Sequence, residues 1–318
     1  MIKRSAFKSA WWLPGPHLQT LWPVLARRRP DYSSVNERIE LPDGDFLDIV
    51  WHDEQPGESV LVLHGLEGSI DSHYTGTLLQ ALELQGFNPV FMHFRGCSGE
   101  PNRLPRGYHS GETGDLDTIA RLIEQRTDRP LSAAIGFSLG GNVLLKWLAE
   151  KSSDCRLKTA IAVSVPFRLE DCAAQLERGL SRYYQNHLLR RMRRSYKARF
   201  SRIPSPLSVD VDRLDSFRTF DDEVTAPLHG FAGVDDYYGR SSSRQYLKQI
   251  EIPTLILHAE DDPFMWAGTI PDADELSSSV TLELSAHGGH VGFVAGDLPW
   301  RPRYWLEERI IDHLQEVL

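Results

Sequence analysis

Two hydrophobic rhythms alternate along the chain. Short continuous apolar runs recur at Val60-Leu61-Val62-Leu63, Pro89-Val90-Phe91-Met92, Leu131–Phe137, Thr159–Val165, Thr254–His258 and Val280–Leu284. Runs of this length predict strands covered on both faces. Between them, apolar residues at helical spacing predict helices from about Tyr74 to Gln85, closed by Gly86, from about Asp115 to Arg126, and from Leu139 to about Lys151. Ahead of the series, two alternating segments between Val35 and Trp51 flank Pro42-Asp43-Gly44-Asp45, the pattern of a β-hairpin. Strand and helix in this order predict βαβ units and a mostly parallel central sheet flanked by helices.

Two segments break the rhythm. Residues 1–34 are irregular and rich in Trp, Pro and Arg. Trp11, Trp12 and Trp22 are costly to leave in water, which predicts an arm packed on the body of the protein. Residues 166–240 carry Arg, Tyr and Leu at helical spacing, prolines at 204 and 206, and no buried-strand run. They predict a helical cap inserted over the sheet. The alternation then resumes with a helix near Ser241–Gln249 and closes with a helix ending at Leu318. The expected organisation is an arm (1–34), an α/β core (35–165 and 241–318) and a helical cap (166–240).

Composition narrows the function. A net charge of −9 argues against general nucleic-acid binding, which needs excess Lys and Arg. The three cysteines, Cys97, Cys155 and Cys172, form no CxxC pair, so neither a disulfide framework nor a thiolate zinc site is expected. Reduced thiols in a cytoplasmic protein are the simplest expectation. Lys3 and Arg4 precede no signal-like apolar run, and no stretch reaches the ~18 apolar residues of a spanning helix. Membrane contact is therefore expected to be peripheral at most.

The chemistry centres on Gly136-Phe137-Ser138-Leu139-Gly140, a G-x-S-x-G sequence between a predicted buried strand and a predicted helix. That is the context of a nucleophile elbow, where the serine occupies a strained turn and side chains at 136 and 140 would collide with their neighbours. A hydroxyl needs a base and a group to orient that base, in the chain order Ser, Asp or Glu, His for this fold. After the Thr254–His258 strand comes Ala259-Glu260-Asp261-Asp262-Pro263; Asp262 fits the acid best, with Asp261 as the alternative. After Val280–Leu284 comes Ala286-His287-Gly288-Gly289-His290-Val291-Gly292-Phe293. His290 is the expected base and His287 a structural histidine. The i, i+3 spacing of the two histidines in a Gly-rich loop does not resemble a rigid metal-ligand pair, and no metal or other cofactor is expected. The oxyanion of an acyl-transfer intermediate needs two N–H donors. Leu139 follows the nucleophile and supplies one; the His64-Gly65-Leu66-Glu67-Gly68 loop supplies the other, at Leu66.

Taken together, His64–Gly68, Phe94-Arg95-Gly96-Cys97-Ser98-Gly99, Gly136–Asn142, Asp261-Asp262-Pro263-Phe264 and His287–Phe293 resemble the YheT-like branch of α/β-hydrolases. Gly15-Pro16-His17-Leu18-Gln19-Thr20 and Asp236-Tyr237-Tyr238 are similar to that branch as well, although relatives usually carry another small or polar residue before His17. The resemblance runs across nearly the whole chain in the right order. It implies the α/β-hydrolase fold, esterase activity without a membrane anchor, and charge-relay roles for Ser138, Asp262 and His290; related eukaryotic members act on lipid esters.

Several residues have weaker claims. Of the basic residues Arg190, Arg191, Arg193, Arg194, Lys197, Arg199 and Arg202, four (190, 193, 194 and 197) share a helical face. That face reads first as solvated, and second as a patch for acidic substrates or a membrane surface. Arg95 reads as a holder of loop geometry. Leu180, Tyr183, Tyr184, Leu188, Leu189 and Phe200 are candidates for an acyl pocket or for an ordinary cap–body interface. The expected function is hydrolysis of a small-molecule carboxylic ester, lipid esters among the candidates. An acyltransferase with the same triad is the alternative, and a non-catalytic binding protein on the same fold is the reading from another class.

Overall fold

The computed structural model describes residues 1–28, 30, 35–51 and 57–318. Residues 29 and 31–34 of the expected arm, and 52–56 of the expected core, lie outside the described residues.

In chain order the elements are β1 (Ile2–Arg4), α1 (Pro16–Ala26), β2 (Val35–Glu40), β3 (Phe46–Trp51), β4 (Ser59–Leu63), α2 (Thr75–Leu84), β5 (Asn88–Met92), α3 (Gly114–Thr127), β6 (Ala133–Phe137), α4 (Leu139–Lys151) and β7 (Thr159–Val163). There follow α5 (Leu169–Leu176), α6 (Ser181–Phe200), α7 (Phe217–Phe220), α8 (Ala226–Leu228), α9 (Val234–Ser241), β8 (Thr254–Ala259), β9 (Val280–Ser285), β10 (Val294–Ala295), β11 (Arg303–Tyr304) and α10 (Trp305–Val317). One π-helical turn, Asp221–Thr225, joins α7 to α8.

The main sheet runs β1-β9-β8-β7-β6-β4-β5-β3-β2. From β1 to β5 every neighbouring pair is parallel; β3 joins antiparallel to β5 and β2. The apolar runs are central because each residue of β4, β5, β6, β7 and β8 is buried. Helices cover both faces. Leu116, Ile119, Val143, Leu144 and Leu148 pack on one side, and Leu78, Leu82, Ile310 and Leu314 on the other. At roughly 25 cal/mol per Å² of apolar surface, these two layers dominate the stability of the fold.

Three expectations are corrected. The N-terminal segment is not wholly irregular. Its first residues form β1 at the sheet edge, with Ile2 opposite Leu282, and three residues are too few to show a periodicity. Pro16, which reads as a breaker, stands in the first turn of α1 after Gly15 at φ 81°, where proline costs no hydrogen bond. Trp11 stays 75% exposed, its indole N–H on the Asp297 carbonyl at 3.0 Å, whereas Trp12 and Trp22 pack edge to face at 5.0 Å. Finally, the helix expected near Ser241–Gln249 starts only at Arg244 and is a 3₁₀ helix. The N–H of Arg244 goes back to the Phe167 carbonyl and that of Ser243 to the Asn142 side chain, so tertiary contacts set its start.

Between β7 and β8 the chain is helical throughout its regular elements, α5 to α9. Those helices share a cluster of buried residues that includes Leu176, Leu189, Phe217, Phe220 and Tyr238. They lie at the carboxyl ends of the parallel strands, where open α/β sheets place their ligands.

Candidate active site

The turn from β6 into α4 is too tight for side chains around Ser138. A Cβ on Gly136 would lie 2.5 Å from the Gly140 carbonyl oxygen, and one on Gly140 would lie 2.5 Å from that of His64. Ser138 itself sits at φ 50°, ψ −116°, a strained conformation for a residue with a Cβ. Its N–H is anchored on the Val163 carbonyl at 2.8 Å. The strain holds Oγ clear of the sheet at the N-terminus of α4, where unpaired N–H groups and the helix dipole favour negative charge.

Two loops from later in the chain reach this hydroxyl. His290 Nε2 lies 3.0 Å from Ser138 Oγ, and His290 Nδ1 lies 2.8 Å from Asp262 Oδ2. The carboxylate fixes the proton on Nδ1 and leaves Nε2 to accept from the serine. Asp262 is buried, and its Oδ1 accepts the Phe264 N–H at 2.8 Å. The Phe264 ring lies flat against the imidazole, with centroids 3.9 Å apart and planes 5° off parallel. Asp261 goes elsewhere: its oxygens take the Gly289 N–H at 3.0 Å and face Nδ1 of the exposed His287 at 3.2 Å.

The loop expected to carry the second oxyanion donor lies against Ser138. Gly65 approaches Ser138 so closely that a Cβ on it would be 3.2 Å from the serine Cβ. Around Leu66 the N–H groups are already used: Gly65 gives its own to the Tyr74 hydroxyl at 3.1 Å, Glu67 to the Tyr108 hydroxyl at 2.7 Å, and Gly68 to the Gly65 carbonyl at 2.9 Å. That leaves the Leu66 N–H as the donor of this loop with no partner among the described residues, alongside the first helical N–H, that of Leu139. His64 shapes the loop rather than acting on substrate. Burial pushes its imidazole down to about 3, so it is neutral; its Nδ1 bonds the Gly65 carbonyl at 2.6 Å and its Nε2 accepts the Phe94 N–H at 3.0 Å.

Leu66, Ser138, Leu139 and His290 all line one cavity of about 150 Å³. Much of its remaining wall is apolar and comes from the helices between β7 and β8: Leu169, Leu176, Leu188, Met192, Phe217 and Val224. Of the six residues expected for an acyl pocket, only Leu188 lines it. Leu180 and Tyr183 are exposed, Leu189 is buried among the helices, Phe200 packs on Tyr196 at 4.5 Å, and Tyr184 stacks between His17 and Phe264. Selecting by hydrophobicity misses the face. The side of α6 that meets the cavity carries Leu188, Met192, Ser195, Tyr196 and Arg199, a helical stripe that mixes apolar and polar residues.

Several further residues stand at the site for which the sequence alone gives no role. Asp221, Tyr237 and Tyr238 line the cavity. The Asp221 carboxyl, pushed up to about 6 by burial, takes hydrogen bonds from Thr225 at 2.7 Å and Tyr238 at 2.8 Å. Asn142 ties α4 to the loops around it, through the Ser110 and Ser241 carbonyls at 2.8 and 2.7 Å. The Asp236-Tyr237-Tyr238 segment and the asparagine after the elbow were the available signals.

Arg95 stays outside the cavity, its buried fork on Asp115 at 2.7 Å twice and on Asp45 at 3.1 Å. Arg190, Arg193, Arg194 and Lys197 share a shallow surface depression with Asp212, and Lys197 bonds both oxygens of that aspartate. Among the described residues no group of three or more His, Cys, Asp or Glu side chains is placed to hold a metal ion, and no helix is long and apolar enough to cross a membrane.

A serine on a strand-to-helix elbow of a parallel sheet, facing a histidine from the loop after a later strand, is the arrangement of a hydrolase class, and the chain belongs to the α/β-hydrolase fold family, whose model matches residues 58–297. Within it the chain stands in the YheT-like branch. It is 44% identical to YheT of Escherichia coli strain K12, a provisionally named esterase, over 95% of this chain and 91% of that one. It is also 30% identical to the phospholipase ABHD3 of Mus musculus, over 90% of this chain and 72% of that one. Among solved structures, the Pyrococcus furiosus esterase Pf2001 shares the fold at a TM-score of 0.59 and 17% identity, covering 92% of this chain and 98% of that one.

Proposed function

We propose that this protein is a serine esterase that cleaves a carboxylic ester through an acyl-enzyme on Ser138, with His290 as base and Asp262 as its orienting acid. The observation that carries the reading is the unbroken hydrogen-bond chain from Ser138 Oγ through the His290 imidazole to Asp262, at 3.0 and 2.8 Å. As Oγ attacks the ester carbonyl, His290 Nε2 takes its proton, and Asp262 stabilises the imidazolium that forms. The carbonyl oxygen becomes an oxyanion held by the Leu66 and Leu139 N–H groups. His290 then returns the proton to the leaving alkoxide, which departs as the alcohol. Water enters, gives its proton to the same imidazole and cleaves the acyl-enzyme, releasing the acid and restoring Ser138. No cofactor enters any step.

The cavity supports a reading of the substrate class as well. Its apolar lining favours an ester with a hydrocarbon acyl chain, in keeping with the esterase and phospholipase names of the relatives. In this reading residues 166–240 act as the cap that excludes water from the acyl chain, and Gln19 and Thr20 of the N-terminal arm brace the loop carrying His290. Three free thiols fit the reducing cytoplasm. The test is turnover of p-nitrophenyl esters from acetyl to dodecanoyl by the protein and by Ser138→Ala. Hydrolysis lost by at least ~10³-fold in a folded variant supports the reading; equal rates reject it.

A further inference from the structure

The helix α6 begins beside the triad. Ser181 Oγ donates to the Pro263 carbonyl at 2.6 Å, and the Tyr184 ring packs on Phe264. Its cavity stripe then runs from Leu188 to Arg199, roughly 16 Å along the axis at about 1.5 Å per residue. It starts apolar and ends in a charge.

Arg199 is 8% exposed. Among the described residues its guanidinium makes a single hydrogen bond, from Nη1 to the Pro105 carbonyl at 3.1 Å, and its buried Nε has no partner. Arg95 in the same molecule shows what a satisfied buried arginine looks like, with Asp43, Asp45 and Asp115 around its fork. Arg199 has no such counter-ion among the described residues, although burying a guanidinium unpaired is expensive. The backbone nevertheless makes room for it: a Cβ on Gly107 would lie 2.8 Å from both Nη1 and Nη2.

The other groups at this end are already committed. Glu67 accepts the hydroxyls of Tyr108 at 3.1 Å and Ser195 at 2.7 Å, and Asp45 is held by Arg95 and by Asn102 at 2.8 Å. Burial keeps the Tyr108 phenol and the Cys97 thiol protonated. A planar fork of unused donors, in a cavity wall, is the recognition element for a carboxylate or a phosphate.

We propose that Arg199 binds an oxyanion carried by the substrate, a carboxylate or a phosphate, so that the enzyme selects esters with an anion separated by an apolar stretch from the scissile bond. The selection of esters rests on the reading of Ser138 as nucleophile; the anion site itself does not. Glu67 is the carboxylate that opposes it, with its two hydroxyl donors reducing the repulsion.

Calorimetry on the Ser138→Ala protein tests the site without turnover, using octyl phosphate, octanoate and octan-1-ol. At least one anion is expected to bind about tenfold or more tightly than the alcohol. Which anion binds tighter identifies a phosphate or a carboxylate source. Arg199→Leu removes that preference while the alcohol's affinity stays within about threefold, and Arg199→Lys, which keeps charge but loses the fork, falls between. Equal binding of anions and alcohol with Arg199 intact overturns the proposal even if Arg199→Leu fails to fold, and so does an anion preference that survives in Arg199→Leu. Failure of the esterase reading shows separately, as no hydrolysis of neutral p-nitrophenyl octanoate with Ser138 present.

Discussion

The hydroxyl of Thr20 accepts the backbone N–H of His290 at 2.9 Å, across 270 positions of sequence. Next to it the Gln19 amide brackets Val294, giving Nε2–H to its carbonyl at 3.1 Å and taking its N–H at 2.8 Å. The loop so held is strained, with Val291 at φ 53° and Phe293 at φ 48°, and it needs external ties to keep the imidazole aimed at Ser138. Thr20 is a positioning residue. Thr20→Val leaves the His290 N–H unpaired and is expected to lower kcat about tenfold, as a lost buried hydrogen bond of ~1–3 kcal/mol allows. KM stays within about twofold and Thr20→Ser restores the rate, because the acyl pocket is untouched. A rise in KM at constant kcat would contradict the assignment.

Asp262 and Asp261 are neighbours with different partners, so their amides separate the roles. Asp262→Asn cannot hold the Nδ1–H tautomer of His290 and is expected to cost on the order of 10³–10⁴ in kcat. Asp261→Asn disturbs only the surface contact with His287 and the Gly289 N–H and stays within about fivefold. Steady-state kinetics on the two variants decide it; similar losses in both would remove the distinction.

Acid lowers stability through buried neutral histidines. Burial depresses His64 to about 3 and His258 to about 4, from 6.5. Below 6.5 the unfolded chain binds protons that the folded chain refuses, so stability is full above that pH and is lost as pH falls toward the folded values. The linkage amounts to roughly 2 kcal/mol for each histidine by pH 5. Asp221, raised to about 6 from 3.8, runs the other way: its folded form binds the extra proton, which returns about 1 kcal/mol over the same interval. His109, depressed to about 2, and His313, to about 4, add losses of the same sign, so urea unfolding at pH 7 and pH 5 should show a net loss of at least about 3 kcal/mol. A flat profile would contradict the neutral, buried state of these imidazoles.

The glycines of the elbow are expected to tolerate nothing larger. Gly140→Ala drives a methyl to within 2.5 Å of the His64 carbonyl oxygen, where both partners are backbone in tightly packed segments. The variant should lose at least ~2–3 kcal/mol or fail to fold. A thermal midpoint within about 2 °C of the parent, with activity retained, would show that the turn can relax.

How much of this was legible depends on the range of the contacts. Val60–Leu63 and Thr254–His258 announce buried parallel strands because burial on both faces leaves an uninterrupted apolar run. Ser138 is legible because its motif stands between a strand run and a helix and the close contact of Gly136 with the Gly140 carbonyl lies within the motif itself, and Asp262 and His290 stand just after such strands. β1 was not legible, since its pairing with Val280–Ser285 joins opposite ends of the chain. Nor was Thr20's hold on His290, although its segment resembles the family. At α6, hydrophobicity points to Leu180, which caps the helix, and to Tyr183, both exposed, and not to Arg199, which lines the cavity. Which face of a helix meets a cavity is decided by its neighbours, not by its own composition.

The central claim is that Ser138 is the nucleophile, and active-site labelling tests it most directly. A fluorophosphonate is added to the protein and to Ser138→Ala, and the adduct is mapped by mass spectrometry. One adduct per chain on Ser138, absent from a folded Ser138→Ala variant, is the predicted result. No adduct on an actively hydrolysing protein, or an adduct on another residue that persists in the variant, would contradict it.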